Sequence, residues 1–229
     1  MAMRPAKIHF FPLSLPFIVF FFLLAVFLIG LIQIGILGYA YEKIGIDPRY
    51  VFALLVLSIF GSYINIPVVR LPVDRVVTGR EVFFFGMRYN IPMVQKVPET
   101  IVAVNVGGAV IPVLLSIYLL VRHHLYIHGL IGVGIVALVV RRFSRPVPGL
   151  GIAVPILVPP LIAVLVSLVF SSHANPSLAY IAGSLGTLIG ADLLNWKKIR
   201  GLGAPVASIG GAGTFDGIFL TGILSVLLV

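Results

Sequence analysis

Residues 176–229 read PSLAYIAGSLGTLIGADLLNWKKIRGLGAPVASIGGAGTFDGIFLTGILSVLLV. Two apolar runs of bilayer-crossing length flank the basic turn WKKIR, and each carries an aspartate, Asp192 at the end of the first and Asp216 within the second. A carboxyl group moved from water into hydrocarbon loses several kcal/mol unless it meets protein, water or an ion, so two of them in one helical pair need a reason. They are the first candidates for function.

The rest of the chain has the same character. Of 229 residues 60% are hydrophobic, and the mean hydropathy is +1.16. So much apolar surface is incompatible with a soluble domain, which makes lipid the solvent of the fold. The expected class is an all-α integral membrane protein, a seven-helix transmembrane bundle forming a single transmembrane domain over residues 1–229. The spans fall at about residues 16–40, 49–66, 100–121, 127–140, 150–170, 176–195 and 204–229, each close to the ~20 residues a bilayer needs. The fourth is short unless it borrows residues 123–126. Arg4 and Lys7 before the first run suggest a signal peptide, but that run is too long and lacks a small-residue cleavage site, so an uncleaved first span is expected.

Charge orders these spans. Thirteen of the sixteen Lys and Arg residues fall on one side of such a bundle, leaving only Lys43, Arg49 and Arg122 for the other. The positive-inside rule then predicts a multi-pass cell-membrane protein with a cytoplasmic N-terminus and an extracytoplasmic C-terminus. The net charge of +9 is read as topology and not as a nucleic-acid footprint. The polar stretch between the second and third spans alternates over VVRLPVDRVV and EVFFFGMRY about Thr78-Gly79, which predicts a cytoplasmic β-hairpin or interfacial segment.

Helix breakers are unevenly placed. Pro155, Pro159 and Pro160 predict a kinked or broken fifth helix, and Gly210, Gly211 and Gly213 a broken seventh. Gly183, Gly186 and Gly190 recur along one face of the sixth, as close helix packing requires. In a straight last helix Asp216 would lie about twelve residues, roughly 18 Å, from the end where Asp192 sits. That separation vanishes if the stretch from Gly201 to Gly213 is not helical and the last helix begins near Thr214, with Asp216 in its first turn.

Two meeting carboxylates would share a proton, giving a general base and a general acid around one water, sufficient for peptide hydrolysis without a metal. Unpaired, either would equally serve a cation- or proton-coupled small-solute transporter, or stabilise a non-catalytic structural or assembly protein. Asn105, followed by Gly107, Gly108 and Pro112, is the most prominent further polar group, suited to hydrogen-bond a carboxyl or to act as structural glue. His124 and His128 have i,i+4 spacing without a third ligand, so no metal is expected. Cysteine is absent and no nucleotide or haem motif occurs, so no cofactor is expected.

Through VNVGGAVIPVLLSIYLL, GSLGTLIGADLLN and GGAGTFDGIFLTG the chain resembles a domain-of-unknown-function family of prokaryotic polytopic membrane proteins, which implies many spans and no particular activity. Locally, Gly213-Thr214-Phe215-Asp216-Gly217 is similar to the Gly-x-Gly-Asp region of intramembrane aspartyl proteases of the presenilin and signal-peptide-peptidase type. Phe215 stands where that family has its second glycine, and no later Pro-Ala-Leu element follows. The resemblance implies Asp192 and Asp216 as a catalytic pair; Gly213, Thr214 and Asn105 are the supporting candidates beside them. The implied partners are membrane lipids and a transmembrane peptide substrate, with a small solute or ion as the alternative.

Overall fold

The computed structural model describes residues 14–33, 35–72, 81–84, 87–90, 99–147, 151–170, 175–199, 206–211 and 215–229. The chain divides into two units, Met1–Tyr39 and Ala40–Val229. In the first, the uncharged sequence of Ser14–Gln33 forms helix α1, which exposes Phe20, Phe22, Leu23, Val26 and Phe27. Helix α2 (Ile36–Lys43) begins in this unit and ends in the second.

The second unit opens with α3 (Pro48–Gly61). Asp47 caps it by accepting the Arg49 N–H at 2.9 Å, and Pro48 occupies the first turn, where its missing donor is harmless. The Arg49 guanidinium also holds the exposed Asp47 carboxyl below its usual range, so the cap stays charged at neutral pH and weakens only as pH falls through that lowered value. Strands β1 (Asn65–Pro72), β2 (Glu81–Phe84), β3 (Met87–Asn90) and β4 (Glu99–Asn105) follow. A π turn over Val106–Val110 leads into α4 (Ile111–Arg122), then come α5 (Tyr126–Phe143), β5 (Arg145–Val147), β6 (Gly151–Ala153) and α6 (Val158–Phe170). Helix α7 (Asn175–Thr187) passes through a second π turn, Leu188–Asp192, and a 3₁₀ turn, Leu193–Asn195, into α8 (Trp196–Ile199). Strand β7 (Val206–Ile209) and helix α9 (Phe215–Leu228) complete the chain.

The fold is mostly helical but not all-α. Strands β1, β4 and β7 form one sheet in that order, with β4 antiparallel to β1 and parallel to β7. Residues 100–121, expected as one span, are therefore a strand followed by helix, and 204–229 repeat that plan. The reason lies in TIVAVN and VASI, whose β-branched runs end at paired glycines; hydropathy does not separate a buried strand from a helix segment. The hairpin also differs. β1 pairs with β4, while β2 and β3 pair with each other, Glu81 opposite Asn90 and Phe84 opposite Met87; Thr78 and Gly79 lie outside the described residues. The prolines of the fifth segment act as a start signal: α6 begins at Val158, so Pro159 and Pro160 sit in its first turn, where a proline is tolerated.

Helix α7 is the centre of this unit, packed by α4, α5, α6 and α9. Every residue from Ser177 to Thr187 except Leu185 is buried. Outward faces are apolar instead, with Leu114 and Ile117 on α4, Leu130 and Leu138 on α5, and Leu161, Leu165 and Val169 on α6 exposed. The glycine stripe divides between two neighbours. A Cβ on Gly186 would fall 2.6 Å from Val136 Cβ, and one on Gly190 2.4 Å from the Ala137 carbonyl oxygen, both on α5. One on Gly183 would fall 2.9 Å from Thr221 Cγ2 on α9. Successive glycines thus seat α7 against both helices at backbone distance.

Gly190→Ala should lower unfolding stability by about 1–3 kcal/mol through overpacking on α5. Gly134→Ala, where nothing lies within 4 Å, should be neutral or stabilising by up to about 1 kcal/mol through helix propensity. Thermal unfolding of the two variants in the same detergent checks the contrast.

Candidate functional site

The site begins where strands give way to helices. At the end of β4, Asn105 is 1% exposed and accepts the Gly108 N–H at 2.8 Å, capping the π turn into α4. Its amide donates to the Ser62 carbonyl at 2.6 Å and to Asn65 Oδ1 at 3.1 Å. Ser208 on β7 donates to the same Asn65 oxygen, so one polar clip joins the ends of all three strands. The close approach needs glycine: a Cβ on Gly107 would lie 2.0 Å from the Ser58 carbonyl oxygen at the end of α3. Asn105 thus serves as glue between α3, β1 and α4.

Strand β7 runs parallel to β4 and stops at Gly210, whose φ of +71° is left-handed. A Cβ there would fall 2.6 Å from Ala109, so both conformation and space demand glycine. The Gly210 N–H donates to Asp192 Oδ2 at 2.7 Å, and Asp192 is 5% exposed. The second π turn explains how Asp192 reaches it. A π turn inserts one residue, so Asp192, five after Thr187, continues the face that carries Tyr180, Ser184 and Thr187. Asn195 secures the irregular turn, donating to the Gly190 and Ala191 carbonyls at 2.9 and 3.0 Å.

Helix α9 starts at Phe215, placing the Asp216 backbone at its second residue, six positions beyond the glycine that binds Asp192. The long depth separation of a straight last helix does not arise, because 206–209 is strand. The Asp216 side chain, Gly213 and Thr214 lie outside the described residues. His124 and His128 are not a helical pair: α5 begins at Tyr126, and His124 is in the preceding turn with φ 52°. Among the described residues no group of three or more His, Asp or Glu side chains is placed to hold a metal.

Sequence reasoning missed Asn65 and Asn195. The near-repeat of VNVGGA and SIGGA, residues 104–109 and 208–212, each a strand end followed by paired glycines, marks Ser208 as the counterpart of Asn105. Asn65 has no pattern of its own, since its role depends on β1 pairing forty residues away.

These features define a mostly helical protein in which two helices, Tyr126–Phe143 and Asn175–Asn195, are long and apolar enough to cross a membrane, the second 78% buried over its apolar window and the first 28%. The chain belongs to the family described as protein of unknown function (DUF1614), whose model matches residues 59–228. No curated protein and no solved structure matches it.

Gly210→Ala should cost roughly 2–4 kcal/mol, combining left-handed strain with overpacking. Asp192→Asn keeps an oxygen for the Gly210 N–H and should be milder than Asp192→Ala, which leaves a buried donor unpaired at about 1–3 kcal/mol. Unfolding midpoints of the three variants give the order.

Proposed function

We propose that the chain is a multi-pass cell-membrane protein acting as an intramembrane aspartyl-protease-like hydrolase, with Asp192 and Asp216 as its acid–base pair. The observation that carries the reading is the Asp192–Gly210 bond, which fixes a buried carboxylate against the segment leading into the first turn of α9, where Asp216 lies. The apolar outer faces of α4, α5 and α6 and the polar centre on α7 support a lipid-embedded helical bundle. The basic-residue asymmetry supports a cytoplasmic N-terminus and an extracytoplasmic C-terminus.

In this reading the two carboxylates hold one proton between them and one water between their oxygens. The ionised carboxylate takes a proton from the water as its oxygen attacks the peptide carbonyl carbon. The protonated one gives its proton to the carbonyl oxygen. As the tetrahedral adduct collapses, one of its hydroxyls returns a proton to the carboxylate that had given one, the C–N bond breaks, and the nitrogen leaves with the proton taken from water, so the pair again holds one proton. Helices that stop at depth beside a buried carboxylate also favour a second reading, cation- or proton-coupled transport of a small solute.

Purified protein in liposomes with a transmembrane reporter peptide separates the two. Cleavage should vanish in both D192N and D216N while the fold is kept, and a variant that still cleaves rejects the shared-water pair. Cation- or pH-dependent flux abolished by D216N, without peptide product, would establish transport instead. Reporters fused to each terminus should give opposite sides, and the same side for both would overturn the topology.

A further inference from the structure

Helix α7 carries a line of hydroxyls that ordinary helix chemistry does not satisfy. Buried serines elsewhere bond back to their own helix: Ser144 to the Val140 carbonyl at 2.6 Å, Ser167 to Val164 at 2.8 Å and Ser225 to Thr221 at 2.5 Å. Ser116, Thr187 and Thr221, each at most 2% exposed, have no hydrogen-bond partner for their hydroxyls among the described residues. Ser184, 1% exposed, meets the Tyr180 phenol without the geometry of a full hydrogen bond. A buried hydroxyl stripped of water and left unpaired costs about 1–3 kcal/mol, so these four call for partners.

They lie on neighbouring helices at about one level. Leu188 on α7 clusters with Ala109 and Ile218, and Val113 packs on that cluster. Further along, a Cβ on Gly129 would touch both Leu120 and Ile181, and one on Gly222 both Ser184 and Tyr180. Both α4 and α9 therefore run antiparallel to α7, with Ser116 and Thr221 at the level of Ser184. At one end of this line, the π turn keeps Asp192 on the face of Thr187.

We propose that α4, α7 and α9 enclose a hydrated seam, a binding site for internal water bridging Ser116, Ser184, Thr187 and Thr221 and continuous with Asp192. Small polar surroundings with several convergent hydroxyls are the setting in which buried water is held. Its catalytic consequence, supply of the attacking water to a carboxylate in a membrane, rests on the hydrolase reading; the seam itself does not. Thr187 would be a positioning residue.

The full chain in lipid nanodiscs tests this without reference to activity. If water bridges the hydroxyls, Thr187→Val and Thr221→Val each lower the unfolding midpoint by about 2–4 °C. The double variant then loses less than the sum, because the two share a partner. Thr187→Ser restores the wild-type midpoint. Magnetisation transfer from water to the amides of residues 184–192 is expected in the wild type and weakened in both valine variants. Midpoints unchanged or raised by valine, or no transfer from water, would mean a dry seam and overturn the proposal. Cleavage provides the separate arm: with a hydrated seam and an active enzyme, Thr187→Val lowers kcat with KM unchanged and Thr187→Ser recovers it. A hydrated seam in a protein that cleaves nothing rejects the hydrolase reading and leaves the seam standing.

Discussion

Every helix that stops inside an apolar bundle leaves backbone donors and acceptors without water, and this fold is organised around supplying their partners. Asp192 does so for Gly210, Asn105 for Gly108 and the Ser62 carbonyl, and Asn195 for the carbonyls of Gly190 and Ala191. The sheet answers the same demand over longer stretches, since β4 is paired on both sides. Polar side chains concentrate where strand passes into helix because that is where regular hydrogen bonding is interrupted.

The most enclosed helix, α7, mixes buried leucine, isoleucine, alanine and tyrosine with glycine, serine and threonine, while the surrounding helices also turn leucine, isoleucine and valine outward. On the membrane reading lipid supplies no hydrophobic drive for helices to associate, which leaves close packing and polar contacts to hold them. Glycines on α7 permit both, admitting the α5 backbone at Gly186 and Gly190 and the α9 side chains at Gly183. The same narrowness concentrates the unpaired hydroxyls of α7 and α9 at one level.

Much of this was legible before the structure. Long apolar runs pointed to a mostly helical chain, and Tyr126–Phe143 and Asn175–Asn195 answer closely to two of them. Breaker residues marked the interruptions, with Pro159 and Pro160 at the start of α6 and Gly210 at the end of β7. The start of α9 at Phe215 was one of two arrangements that Thr214 and Asp216 allowed. Strand β4 was not legible, because TIVAV is as apolar as the helix that follows and period alone assigns neither state.

What the sequence determined by itself is therefore composition and punctuation: long apolar runs, a basic asymmetry and the places where a helix could not continue. Tertiary structure alone decided the partners. The bond from Gly210 to Asp192 spans eighteen residues, and Asn105 reaches Asn65 across forty. The π turn that aligns Asp192 with Thr187 has no residue signature, since it is set by packing of Gly190 on α5 and by Asn195 closing the turn. Local propensity acts over a few residues, whereas these contacts exist only once distant segments are held together, so the carboxylate could be found in the sequence and its partner could not.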